Sequence, residues 1–113
     1  MENPDKYFET LYKNFNERRI DLVIANMATN VKWANGMEGG YVYGHGGVRD
    51  YWTRQFKIAS SNVNPTAIKE ENGVIIVTVH QVVHDLVGNL LSDELVEHIF
   101  YTDKDKIVEF NIR

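Results

Sequence analysis

Three polar breaks in the second half of the chain constrain its fold more than any other feature. Glu71-Asn72-Gly73, Gly88-Asn89 and the segment 102–106 each interrupt a run of β-branched and aromatic residues. Asn-Gly is the strongest short hairpin signal, and a two-residue loop led by Gly is also favoured, so the runs flanking each break pair as antiparallel strands. Segments 65–70, 74–83, 90–101 and 107–112 are therefore expected to form a four-strand meander.

The first half has helical periodicity instead. Asn3 suits an N-cap, Pro4 the first helical position, and Asp5 the positive end of a helix dipole. Phe8, Leu11, Tyr12 and Phe15 then follow i, i+3, i+4, i+7 spacing. After the polar link 16–19 the spacing recurs at Ile20, Val23, Ile24 and Met27, which predicts a second short helix. A short strand at 31–34 follows. Six of the eight glycines lie between Gly36 and Gly47, which predicts a tight loop holding a short strand at 40–43. A third helix starts near His45 and presents Val48, Tyr51, Trp52, Phe56 and Ala59. Helices first and a meander afterwards imply an α+β domain spanning 1–113, with helices against one face of a curved, mainly antiparallel sheet. A chain of this length has a radius of gyration of about 13 Å, enough for one core and one modest cavity.

Composition removes several functions. The chain holds no cysteine, which excludes disulfides, thiolate nucleophiles and cysteine metal sites. Its net charge of −4, with no run of Lys or Arg, argues against nucleic acid and against a polybasic membrane contact. No eighteen apolar residues run together and Met1 to Asp5 shows no apolar leader, so a cytoplasmic protein is expected. The glycines match neither G-x-G-x-x-G nor a P-loop, and no cofactor is expected.

Hairpin registers decide which side chains share a face. A two-residue loop at Gly88-Asn89 places His80 opposite Glu97, Val82 opposite Leu95 and His84 opposite Asp93. A loop centred on Lys104-Asp105 pairs Tyr101 with Val108, Ile99 with Phe110 and Glu97 with Ile112. The face holding His80, Val82, His84, Leu95, Glu97, Phe110 and Ile112 is then the inner one. A one-residue slip would reverse that assignment. Val77, Val79, Val83, Val96 and Phe100 fall on the outer face, apolar enough to predict a homodimer through it. His98 falls on the same outer face beside Asn111.

This layout, with Trp33-Ala34-Asn35-Gly36 ending the first strand and Tyr43-Gly44-His45-Gly46-Gly47-Val48-Arg49-Asp50-Tyr51-Trp52 opening helix three, resembles the NTF2-like superfamily. The segment Val79-His80-Gln81-Val82-Val83-His84-Asp85-Leu86-Val87-Gly88-Asn89 completes the likeness, which is greatest to the SnoaL-like group related to ketosteroid isomerases and polyketide cyclases. The resemblance implies a cone-shaped α+β fold (cystatin-like) whose mouth takes a small apolar or carbonyl-bearing molecule, in a homodimer. It also implies that Phe15, Met27, Trp52, Val82 and Phe110 line the cavity. The proton-moving aspartate of ketosteroid isomerases falls on Asn35, their tyrosine on Leu11 and their carboxylic acid on Glu97. An amide cannot accept that proton, so ketosteroid isomerase chemistry is not expected.

Among the polar groups, His80 and His84 lie four residues apart on a strand, about 13 Å, too far to share one metal ion. His80 beside Glu97 fits a general base held in one tautomer, with Asn35 orienting a substrate oxygen. His80, Glu97 and Asn35 are thus the candidate catalytic residues of a cofactor-independent lyase, isomerase or cyclase. An inert polar pair in a binding or protein-interaction module is the competing reading. His84 lies nearer the turn. Trp33, Tyr51, Trp52 and Phe56 form an aromatic set around the expected mouth, serving as core, ligand platform or both.

Overall fold

The computed structural model describes residues 3–113; Met1 and Glu2, part of the segment read as lacking a leader, lie outside the described residues. The elements run α1 (Pro4–Asn16), α2 (Ile20–Ile24), β1 (Met27–Ala34), β2 (Tyr41–Tyr43), α3 (Gly44–Phe56), β3 (Ala59–Glu71), β4 (Val74–Asp85), β5 (Leu90–Asp103) and β6 (Lys106–Ile112). One six-stranded sheet has the order β2-β1-β6-β5-β4-β3, antiparallel except where β1 runs beside β6. The radius of gyration is 13.5 Å.

Local chemistry explains most boundaries. Asn3 caps α1 by accepting from the Lys6 N–H at 3.3 Å, and Phe8, Leu11 and Tyr12 are buried beneath the helix. Met27 starts β1 rather than ending α2, and Ala59 starts β3 rather than closing the face of α3. β3 is also longer than its sequence pattern implies. Its first half carries Ser60, Ser61, Asn62 and Asn64, poor strand formers, and pairing with β4 overrides that local preference. Asn16 secures the same edge strand: its amide donates to the Val63 carbonyl at 2.8 Å and accepts from the Val63 N–H at 2.9 Å.

The hairpins correct the face assignment. Asn72 and Gly73 both have positive φ and join Glu71 to Val74 in a two-residue turn, as the Asn-Gly signal implies. The Gly88-Asn89 turn is wider than two residues. The Asp85 carboxylate accepts from the N–H groups of Val87 and Asn89 and from the Asn89 amide, so Asp85 organises a longer loop. Pairing therefore moves by two: His80 opposes Leu95, Thr78 opposes Glu97 and Val82 opposes Asp93. A shift of two keeps every residue on its face.

The last hairpin reverses the outcome. Lys104 and Asp105 both have positive φ and close a two-residue turn that pairs Asp103 with Lys106 and Thr102 with Ile107. Register then shifts between Tyr101 and Thr102, so Tyr101 opposes Glu109, Phe100 opposes Phe110 and His98 opposes Ile112. Val108 is the extra residue of a β-bulge, and one extra residue turns the rest of β6 over. Phe110 thus shares a face with Phe100 and His98, not with Ile99 and Glu97.

The helices cover this second face. Ile75, Val77, Val79, Phe100 and Phe110 are buried in one core with Phe8, Val31, Val48 and Trp33. The residues expected to form an outer dimer face, Val77, Val79, Val83, Val96 and Phe100, are in the core or in the wall of the internal cavity.

Candidate ligand-binding site

Between the covered face of the sheet and the helices lies a cavity of about 580 Å³, open at one end. That volume suits a small organic ligand. Aromatic packing shapes its walls. Trp33 of β1 stacks on Phe110 of β6 with centroids 4.1 Å apart and meets Trp52 of α3 edge-on at 5.5 Å. Phe15 of α1 packs edge-on against Trp52 at 5.2 Å. Met37, Leu91, Glu94 and Ile112 are exposed and surround the mouth.

Deep in the wall, Tyr12 and His98 form a pair. Tyr12 Oη and His98 Nδ1 are 2.6 Å apart, and the two side chains are among the buried residues of the protein. Burial holds the His98 imidazole neutral, its pKa lowered to about 4, and raises that of the Tyr12 phenol. Two neutral groups must share one hydrogen bond. A phenol is the better donor and Nδ1 is the acceptor within reach, so Tyr12 donates and the remaining imidazole proton resides on Nε2. Nε2 has no protein partner among the described residues, yet it is not a sealed, unsatisfied atom. It faces the cavity as an N–H donor.

The sequence-predicted site residues are dispersed. Phe15, Trp33, Trp52 and Phe110 line the cavity. Met27 is buried in the core beside it. Phe56 packs behind Phe15, with the Arg18 guanidinium 4.4 Å from its ring centroid. His80, Val82, His84 and Glu97 lie on the opposite face of the sheet, because the bulge at Val108 turned β6 over. His80 Nε2 meets Asp93 at 2.6 Å rather than Glu97. Glu97 accepts from Arg113 Nε at 2.9 Å, which holds its carboxyl below the usual range.

Asn35 is buried but lines no cavity. Its carbonyl oxygen accepts from the N–H groups of Met37 and Glu38, and its amide donates to the Glu38 carboxylate at 2.8 Å. It organises the loop before β2, with its amide turned to Glu38, and is not among the residues lining the cavity. His45 stands in the first turn of α3 and reaches the Met27 carbonyl oxygen at 2.9 Å, tying that helix to β1.

Sequence reasoning missed Tyr12 and His98 by one residue each. The tyrosine and acid positions implied by the resemblance, Leu11 and Glu97, both immediately precede them. On α1 the miss is small, since Leu11 and Tyr12 both line the cavity. On β5 it moves the side chain to the other face. The available signal was that Val96, His98 and Phe100 alternate with Glu97 and belong with a second apolar face.

Comparison of structures reveals the fold. An NTF2-like protein of unknown function from Burkholderia pseudomallei superposes with a TM-score of 0.87 at 22% identity, covering 100% of this chain and 91% of that one. TerC, in a crystal grown with polyporic acid, gives 0.81 at 20% identity over 91% of this chain and 84% of its own. A ketosteroid isomerase-like fold from Catenulispora acidiphila, in complex with trimethylamine, gives 0.79 at 9% identity over 100% and 85%. The chain has the NTF2-like, cystatin-type fold. No protein-family model and no curated protein matches it. Among the described residues no helix is long and apolar enough to cross a membrane.

Proposed function

We propose that the chain binds a small, largely aromatic molecule with a carbonyl oxygen, held in the cavity with that oxygen against His98 Nε2. The observation that carries this reading is the buried Tyr12–His98 pair, which offers a neutral N–H donor to a space lined mainly by aromatic and aliphatic side chains. A donor left facing an apolar cavity costs free energy until an acceptor meets it, so the site favours ligands that bring one. Proteins of the same fold, one co-crystallised with polyporic acid and one in complex with trimethylamine, support a small-molecule ligand for this chain.

A donor that stays neutral at pH 7 would also stabilise an enolate, which is the route to a cofactor-independent isomerase, lyase or cyclase. Such chemistry needs a base beside the carbonyl. Among the described residues the cavity wall holds no second imidazole, and its one carboxylate stands at the mouth, so binding is the reading the geometry supports best.

Both tryptophans of the chain line the cavity, so tryptophan emission excited at wavelengths that tyrosine does not absorb reports on it. Titration with 2-acetylnaphthalene is expected to shift that emission, and His98→Leu to weaken binding about fivefold to tenfold, the worth of one hydrogen bond. 2-Ethylnaphthalene, lacking the acceptor, should bind both forms equally. Equal loss for both ligands, or no binding of either at millimolar concentration, overturns the proposal.

Self-association through the face of the sheet that the helices leave open is a second part of this reading. Leu95 is 69% exposed there and Tyr101 40%. Leu95→Asp should yield monomer by sedimentation velocity under conditions where the parent protein sediments as a dimer; a monomeric parent refutes the dimer.

A further inference from the structure

Among the described residues Glu94 is the only one lining the cavity that bears a formal charge at neutral pH, since His98 is held neutral by burial. It lies on β5 directly across from Gln81 of β4, and both side chains are on the cavity side of the sheet. Its neighbours in sequence and space have their charges matched elsewhere. Asp93 meets His80 on the opposite face, and Glu38, below the loop at the mouth, takes Arg54 at 3.0 Å and the Asn35 amide. Among the described residues Glu94 has no hydrogen-bond or ion-pair partner, and neither does the Gln81 side chain.

Four residues along β5 separate Glu94 from His98, a rise of about 13 Å. Along β5 the cavity wall is therefore polar at Glu94 and at His98, with Val96 between them. A neutral donor sits at the buried end, and a carboxylate with an adjacent amide sits at the open one. Among the described residues no cationic side chain lines the space, so an acid entering it would meet one negative charge and no compensating positive one.

We propose that Glu94 sets the charge specificity of the site, so that the ligand is a carbonyl compound bearing an amine or another cation at its solvent-facing end, and carboxylic acids of the same shape are rejected. This rests on the binding reading given above and adds the identity of the ligand's outer end. The carboxylate is exposed, so the discrimination is moderate and screened by salt, falling as the Debye length shrinks from about 10 Å at 0.1 M towards 3 Å at 1 M.

Three probes of one bicyclic shape test it: 2-acetylnaphthalene, 6-acetyl-2-naphthoic acid and (6-acetylnaphthalen-2-yl)methylamine, each titrated into the full chain and into Glu94→Gln by calorimetry. The amine is expected to bind the parent protein at least tenfold more tightly than the acid at low salt. Glu94→Gln should bring the two within about twofold, with the neutral ketone titrated into each form as the reference for the site itself, and 1 M NaCl should likewise bring amine and acid together on the parent. An amine-to-acid ratio unchanged by Glu94→Gln overturns the charge specificity while the ketone result leaves the binding site standing. Failure of the neutral ketone to bind removes the site itself.

Discussion

Lowering the pH from 7 to 4.5 should destabilise the folded chain by about 2 kcal/mol through His98 alone. The imidazole titrates at 6.5 when exposed, as in the unfolded chain, and at about 4 in the folded protein, where burial disfavours its charged form. Because the folded value is the lower, the unfolded chain takes up the proton first. Stability is fully present above 6.5 and is lost progressively as the pH falls from there to about 4. Each pH unit inside that window costs about 1.4 kcal/mol, and rounding at its edges leaves about 2 kcal/mol by pH 4.5.

The carboxyls that hydrogen bonds hold below their usual range, those of Glu38, Asp85 and Glu97, withdraw their contributions only as the pH falls below 4.5 for the two glutamates and 3.8 for the aspartate. The interval above 4.5 is therefore governed by His98. Urea unfolding of the parent and of His98→Gln at pH 7, 6, 5 and 4.5 gives the comparison. Gln keeps an acceptor for Tyr12 Oη but cannot titrate. Its absolute stability is lower, and the quantity read is the difference in slope: the parent falls with acid while the variant stays nearly flat to pH 4.5. Parallel slopes for the two proteins would refute a neutral His98, and with it the donor at the closed end of the cavity.

Four other substitutions probe features of the fold. Asn16→Ala removes both hydrogen bonds to the Val63 backbone and should cost about 2 kcal/mol in urea unfolding. Gly44→Ala should destabilise by about 1–2 kcal/mol, since φ is +73° and a new Cβ would stand 3.3 Å from the Thr29 carbonyl oxygen; Gly46→Ala, with open space around it inside α3, should be neutral or stabilising in the same assay. His80→Ala should leave ligand titrations unchanged and cost less than about 1 kcal/mol, because its exposed pair with Asp93 faces away from the cavity.

The β-branched and aromatic runs of β4 and β5, bounded by turn signals, decided from sequence alone that these segments are strands, and the period of two decided which residues travel together on each face. The capping signals at Asn3 and Pro4, the Asn72-Gly73 turn and the aromatic spacing of α3 were equally local, and local chemistry sufficed to place them. That order of elements implied an α+β domain, and the resemblance carried by segments 33–36, 43–52 and 79–89 implied the NTF2-like architecture. What sequence did not contain was the choice between the two faces. Both are apolar enough to be inner, and the choice turned on the Val108 bulge, which displaces one side chain without changing composition or turn signals. Because side chains alternate with a period of two, that one extra residue sent His80 and Glu97 to solvent and brought His98 beneath α1 to meet Tyr12. Contacts between residues 86 positions apart are set by how helices settle on a twisted sheet, and no window along the chain reports them.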